Sequence, residues 1–347
     1  MCQQVIFQFL AKFTIFQTEW ANILALFNRK PCGGACKTFA KKQRNFFKRT
    51  LIMAPMNKLA TSYLCIALGA SCWGLIGLPN RFLIAMGFTP VMLVAIRPAI
   101  AAALFFVILL ITDRSALRIR LKDLWCFLGT GVLSLTLFNF CYTTAQTYMS
   151  LSAAVVLLYT SPFFVVLLSA VLFKERITPI KVAALILVMM GAVFASGLIG
   201  SNASFSLIGL LLGIMAGFGY ALYSIFGRFA IQRGYGSHTI SFYTFLFSAI
   251  ASFALSATTP LPAIDITPSV VFWALFLGVI CCLVPYILYT KGLEKVENGR
   301  ASVIASLEVV VASCVSIVAF HEDISLLGIA GVVLVIAGIV LMNTAKQ

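Results

Sequence analysis

The chain is written in two copies of one unit, and that repeat limits its architecture more than any other feature. Ser152 to Ser196 matches Gly299 to Asn343 without a gap, at an offset of 147 positions and with 12 of 45 residues identical. In so apolar a stretch, identity alone means little; the polar break decides it. Phe173-Lys174-Glu175-Arg176-Ile177-Thr178 aligns with Phe320-His321-Glu322-Asp323-Ile324-Ser325. Each break separates two apolar runs, with a glycine at the same place in the second run, Gly191 and Gly338. The same offset pairs Trp73 with Tyr220, Arg81-Phe82 with Arg228-Phe229, Gly87-Phe88 with Gly234-Tyr235, and Tyr142-Thr143 with Tyr289-Thr290. A repeat of this length sets the fold before any local signal does.

The runs are long and apolar all round. Hydrophobic residues make up 61% of the sequence and charged residues 10%, with a mean hydropathy of +1.04. Such a balance suits a polytopic membrane protein and no soluble domain. A β-barrel would alternate apolar and polar residues, and these runs do not. Ten spans are predicted, near 59–79, 90–111, 123–141, 151–172, 179–199, 207–226, 239–257, 270–290, 301–319 and 326–343. Basic residues fall in alternate connections: Arg114 to Lys122, then Lys174 to Lys181, Arg228 and Arg233, and Lys291 to Arg300. The intervening connections hold only Arg81. The positive-inside rule then puts both termini in the cytoplasm, in a cytoplasmic (inner) membrane.

The predicted fold is therefore all-α and polytopic, with ten transmembrane helices arranged as two inverted five-helix repeats, 56–200 and 201–347. Five is odd, so the second copy enters from the opposite side. Inverted repeats with a midplane site between them are the build of many secondary transporters. Oligomeric state, monomer or homodimer, stays open.

The formal charge of +15 is not a nucleic-acid signal. Nine of the 25 basic residues precede Met56, and from there on 16 basic residues face 9 acidic ones, in the connections that orient the spans. The tail, residues 1–55, carries a helical stripe from Phe9 to Phe27 and a basic tract from Arg29 to Arg49. It reads either as an amphipathic segment on an anionic membrane face or as a mis-assigned start, with translation beginning at Met53 or Met56. The cysteines are mostly single within apolar runs, where Cys is a small hydrophobe. Cys32 and Cys36 lack the second pair a zinc site needs, so no metal is expected.

Trp73-Gly74, Arg97, Ser161-Pro162, Phe173 to Arg176, Leu307-Glu308 and Phe320 to Glu322 together resemble the EamA-like branch of the drug/metabolite transporter superfamily, over about residues 59–343. The resemblance implies a secondary carrier for small metabolites, commonly an exporter of amino acids or related compounds. Where that family usually has proline after the helix-nine glutamate, this chain has Val309; the repeat partner of that position is Pro162. A kink in the first copy alone, and asymmetric gating, are the expectation.

Glu308 is the leading candidate for proton coupling. It lies eight residues past Arg300, roughly 12 Å along a helix and well inside the bilayer, where a carboxylate must be paired, wetted or protonated. The bland alternative is an acid hydrogen-bonded to a neighbouring helix. Arg97 could receive a substrate carboxylate or pair with Glu308; equally it could snorkel outward or satisfy carbonyls freed by Pro98. Trp73, Asn80, Tyr142, Tyr159 and Tyr220 complete the candidate substrate-binding set, although Tyr and Trp also form interfacial belts. Pro162, Glu175 and Glu322 are hinge candidates, with Thr178 and Ser325 as helix caps beside them. Gly213, Gly217 and Ala221, and Ala184/Gly191 with Gly331/Gly338, are small faces for close helix packing.

No phosphate loop, HExxH or GxSxG motif is present, so neither ATP nor a cofactor is expected and an ion or solute gradient must drive transport. An exchanger of sugar phosphates or nucleotide sugars would need more cations in the cavity than Arg97. An intramembrane lipid-modifying enzyme would need paired catalytic groups at depth, and His238 and His321 both fall at connections.

Overall fold

The apolar runs all become helices, because a backbone in hydrocarbon must satisfy its own hydrogen bonds. A computed structural model describes residues 58–199, 206–256, 264–322 and 324–344, which lie in one compact unit, Asn57–Gln347. The stripe and basic tract of the tail, Cys32 and Cys36 lie outside the described residues. Among the described residues there are no strands. The spans are α1 (Leu59–Ala85), α2 (Pro90–Thr112), α3 (Leu121–Ala145), α4 (Leu151–Phe173), α5 (Pro179–Ala195), α6 (Leu207–Gln232), α7 (Ser237–Ser256), α8 (Pro268–Leu293), α9 (Asn298–Phe320) and α10 (Leu326–Thr344). Nine are long and apolar enough to cross a membrane, and α5 is a shorter apolar helix. Their outward faces are apolar, as at Ile111, Val171, Val318 and Val333, a surface that only lipid would cover.

Several helices outrun the predicted spans. α1 continues to Ala85 and takes in Arg81, and α6 continues to Gln232 and takes in Arg228. Arg97 is thus one of several basic residues within helices.

The repeat governs the packing. α1 lies against α8, and the repeat-related α6 lies against α3; α4 against α6 is matched by α9 against α1, and α3 against α7 by α8 against α2. Three pairs are self-related, α2 with α7, α4 with α9 and α5 with α10. The repeat extends to single backbone angles. Gly87 and Gly234 turn at φ +97° and +85°, and Lys174 and His321 end α4 and α9 in the left-handed region at 57° and 53°. π-helical turns interrupt α3 at Gly129–Thr136 and α8 at Val279–Leu283. Thr178 caps α5 by accepting from Lys181 N, and Ser325 caps α10 by accepting from Gly328 N. α5 and α10 cross at their small residues: a Cβ on Gly191 would stand 2.7 Å from Gly331 O, and one on Gly331 2.4 Å from Ala195 N.

The expectation of a kink in the first copy alone fails. α4 breaks at Tyr159–Thr160, just before Pro162, and α9 breaks at Ser306 with no proline nearby. In α9 the hydroxyls do the work. Ser302 Oγ donates to Gly299 O (2.9 Å) and Ser306 Oγ to Ser302 O (3.4 Å), back-bonds that bend helices. Ser306 N and Val309 N then bond the third carbonyl back, Val303 O and Ser306 O, in a tightened turn.

Candidate functional site

The α9 break determines where Glu308 sits. It occupies the first turn of the second segment, Leu307–Phe320. Its repeat partner, Ser161, opens the second segment of α4 beside Pro162. The two breaks face each other because α4 packs on α9. α6 is drawn close to α4 by its small residues: a Cβ on Gly213 would meet Leu157 at 2.4 Å, and one on Gly217 the Leu157 carbonyl at 2.8 Å. One turn further along α6, Tyr220 Oη donates to Glu308 Oε2 over 3.4 Å. Tyr159, at the α4 break, lines the same hollow as the Glu308 carboxylate. No ion pair reaches Glu308 among the described residues. Tyr159, Tyr220, Glu308, Ser161, Pro162 and Ser306 line one hollow.

A second hollow adjoins it across the Tyr220 ring. Trp73 of α1 lies edge-on to Tyr286 at 5.2 Å and near Tyr289 at 5.3 Å, with Tyr220 at 6.2 Å. Tyr223 closes on Tyr286 at 4.9 Å, and Phe138 on Tyr220 at 5.3 Å. Two of the phenols are fixed by hydroxyl partners: Tyr223 Oη and Thr290 Oγ1 are 2.5 Å apart, and Ser224 Oγ and Tyr289 Oη 2.9 Å. Each hollow has room for about one water. The pair forms an aromatic-lined chamber with a carboxylate at one side.

Of the predicted set, Trp73, Tyr159, Tyr220 and Glu308 come together, with Pro162 beside them. Tyr142 packs against the core around the chamber and lies within electrostatic range of Glu308, without lining either hollow. Asn80 lies in the second segment of α1, Gly77–Ala85, and lines neither. Arg97 is apart too. It is 9% exposed, so it does not snorkel, and its Nη2 donates to Asn139 Oδ1 (3.0 Å) rather than to Glu308. The sequence reading missed Tyr223, Tyr286 and Tyr289. The i, i+3 spacing of Tyr220 with Tyr223 and of Tyr286 with Tyr289 puts each pair on one helix face, and the repeat match of Tyr142 to Tyr289 pointed to the latter.

The hinge acids sit at opposite ends of the helices. Glu175, after α4, accepts from Asn298 N (2.9 Å) and Gly299 N (3.3 Å) at the start of α9, where free amides and the helix dipole favour a carboxylate. Around it, Arg228 donates to Asn298 Oδ1 and Val296 O, and Glu297 binds Lys181 at 2.7 Å and Arg300 at 3.5 Å. Glu322, after α9, pairs with Arg81 and accepts from Ser316 Oγ (2.7 Å).

A two-copy bundle of apolar helices around an aromatic chamber with one carboxylate fits a multi-pass membrane transporter. The chain belongs to the EamA-like transporter family, whose model matches residues 60–197 and again 207–344. Among its relatives, an uncharacterized transporter of Archaeoglobus fulgidus is 26% identical over 80% of this chain and 96% of its own. The uncharacterized transporter YyaM of Bacillus subtilis is 25% identical over 73% and 84%. A crystal structure of another protein superposes with a TM-score of 0.71 at 19% identity, covering 81% of this chain and 96% of that one, and shares the fold. The chain is a transporter, not an enzyme, and a member of the drug/metabolite transporter superfamily.

Proposed function

We propose that this transporter is a proton-coupled secondary carrier that exports a small metabolite, an amino acid or related compound, across the cytoplasmic membrane. The observation that carries the reading is Glu308: a carboxylate at a helix break with no ion-pair partner among the described residues, bonded by the Tyr220 phenol and lining a hollow with Tyr159. Broken helices at such a depth are where secondary transporters bind substrate and coupling ion. Trp73 and Tyr220 form the apolar wall, Tyr220 sets the carboxylate with Tyr159 beside it, and Ser161 is the non-titrating counterpart, so coupling rests on one glutamate. Asn80, Arg97 and Tyr142 serve the path or the wall rather than the chamber itself. The basic connections orient the Glu175 end, and both termini, toward the cytoplasm. Residues 56–200 and 201–347 act as the two rocking units.

The experiment is transport by purified protein in proteoliposomes, screened with a metabolite panel with and without an imposed pH gradient. Glu308→Gln keeps shape and hydrogen bonding but removes titration. It is expected to abolish gradient-driven accumulation while leaving folding and substrate binding in place, and Glu308→Asp to keep some coupling with a shifted pH optimum. Gradient-driven transport by Glu308→Gln at the wild-type rate would make Glu308 structural.

A further inference from the structure

Among the described residues, Arg97 is a buried cation with no counter-charge. It lies in α2 at 9% exposure, with one side-chain hydrogen bond, from Nη2 to Asn139 Oδ1. Its Nε is buried without an acceptor. The Asn139 amide is itself anchored, Nδ2 donating to Leu135 O at 2.6 Å, so its oxygen is directed at the guanidinium. Cys281, Cys282 and Tyr286 of α8 are neutral side chains near it. Among the described residues no carboxylate pairs with Arg97, whereas Arg81, Lys181, Arg233 and Arg300 all have one.

Both bland readings of this residue fail on that geometry. A snorkelled arginine would be exposed, and one serving the carbonyls freed by Pro98 would bond one. A lone guanidinium inside a membrane protein is costly unless something compensates it, and a permanently charged arginine cannot escape by losing its proton.

We propose that Arg97 is the anchor of a monovalent-anion site between α2, α3 and α8, with Nε as the open donor and Asn139 as the brace. One cation among neutral walls balances one negative charge; a dianion would leave a charge over. The shared chemistry is a small monovalent anion, supplied either as chloride from solution or as the carboxylate of the transported metabolite. The carboxylate source rests on the transport reading above; the site itself does not.

The test is thermal unfolding of the full chain in detergent, at constant ionic strength in a sodium sulfate background, titrated with sodium chloride or sodium acetate. A ligand at ten times its dissociation constant favours the folded form roughly elevenfold. The expected result is a saturable upward shift in Tm of about 3 °C with at least one of the two anions. Saturation by chloride alone identifies a resident halide, and saturation by acetate a carboxylate site. Arg97→Gln should lose the response. Asn139→Asp sets a carboxylate against Arg97, so it should raise Tm without added anion and also lose the response. An unresponsive wild-type Tm overturns the proposal, as does a full response in Asn139→Asp. Transport is not read in this assay, so failure of the carrier mechanism would leave its outcome unchanged.

Discussion

The two hinge regions share a backbone and differ in their partners. Lys174 and His321 turn through the same left-handed angle, and a glutamate follows each. Glu175 sits on the amides that begin α9, amid the Glu297 ion pairs; the side chains of Lys181 and Arg300 there are 4% and 3% exposed. Glu322 should, by the 147-residue offset, meet the amides of Leu151 and Ser152. Instead it pairs with Arg81, whose guanidinium lies 4.1 Å from the Phe320 ring, and both side chains are about half exposed. One sequence device is therefore present in two arrangements, one buried and one exposed. In the proposed cycle the two ends exchange them.

The largest expected effect comes from the shared acid of the buried end. Glu297→Gln removes the carboxylate that pairs with the buried Lys181 ammonium, and removing one partner of a buried pair costs about 3 kcal/mol. The figure stands at the low end because Glu297 is 32% exposed. Its Tm in detergent should fall furthest of the variants considered. A Tm within 1 °C or so of wild type would mean that this network does not hold the end.

Glu175→Gln should come next. It loses charge-assisted bonds to two backbone amides, about 2 kcal/mol, and should loosen the Glu175 end specifically. Glu322→Gln touches an exposed pair and should change Tm by less than about 1 kcal/mol equivalent. Equal losses from the two glutamates would erase the distinction between the ends.

The smallest effect is of pH on the exposed end. The Ser316 hydroxyl, and after it Arg81, hold the Glu322 carboxyl below its ordinary value. A lowered value means the pair contributes fully above the ordinary carboxylate range, near pH 4.3, and is lost only as pH falls through the lowered one. Acidifying from pH 7 to pH 5 should leave the Arg81–Glu322 contact intact, measurable as an unchanged difference in Tm between wild type and Glu322→Gln. A shrinking difference in that interval would contradict it.

Much of this was legible in the sequence. The offset that aligned Glu175 with Glu322 also located the matched turns at Gly87 and Gly234 and the facing pair Trp73 and Tyr220. Glu308 stood out because a carboxylate inside an apolar run has few explanations. The α9 break was hidden, since serine back-bonding bends a helix without the mark that proline leaves. The partners of Glu175 were hidden for a different reason: backbone amides carry no side-chain identity. Tyr223, Tyr286 and Tyr289 looked like any interfacial aromatics until the packing of α6 and α1 on α8 enclosed them. Asn80 was the reverse case, a polar residue at the edge of the predicted span that does not line the chamber.

The central claim is that the two ends open in alternation. It is tested most directly by paired spin-label distances at repeat-related sites, Lys174 with Lys295 at one end and Tyr148 with His321 at the other, in a background freed of native cysteines. Glu175→Gln should lengthen the first distance and shorten the second, and a transported metabolite from the panel should redistribute the same two populations. Both distances lengthening together, or neither responding to the variant or to a transported metabolite, would contradict the account.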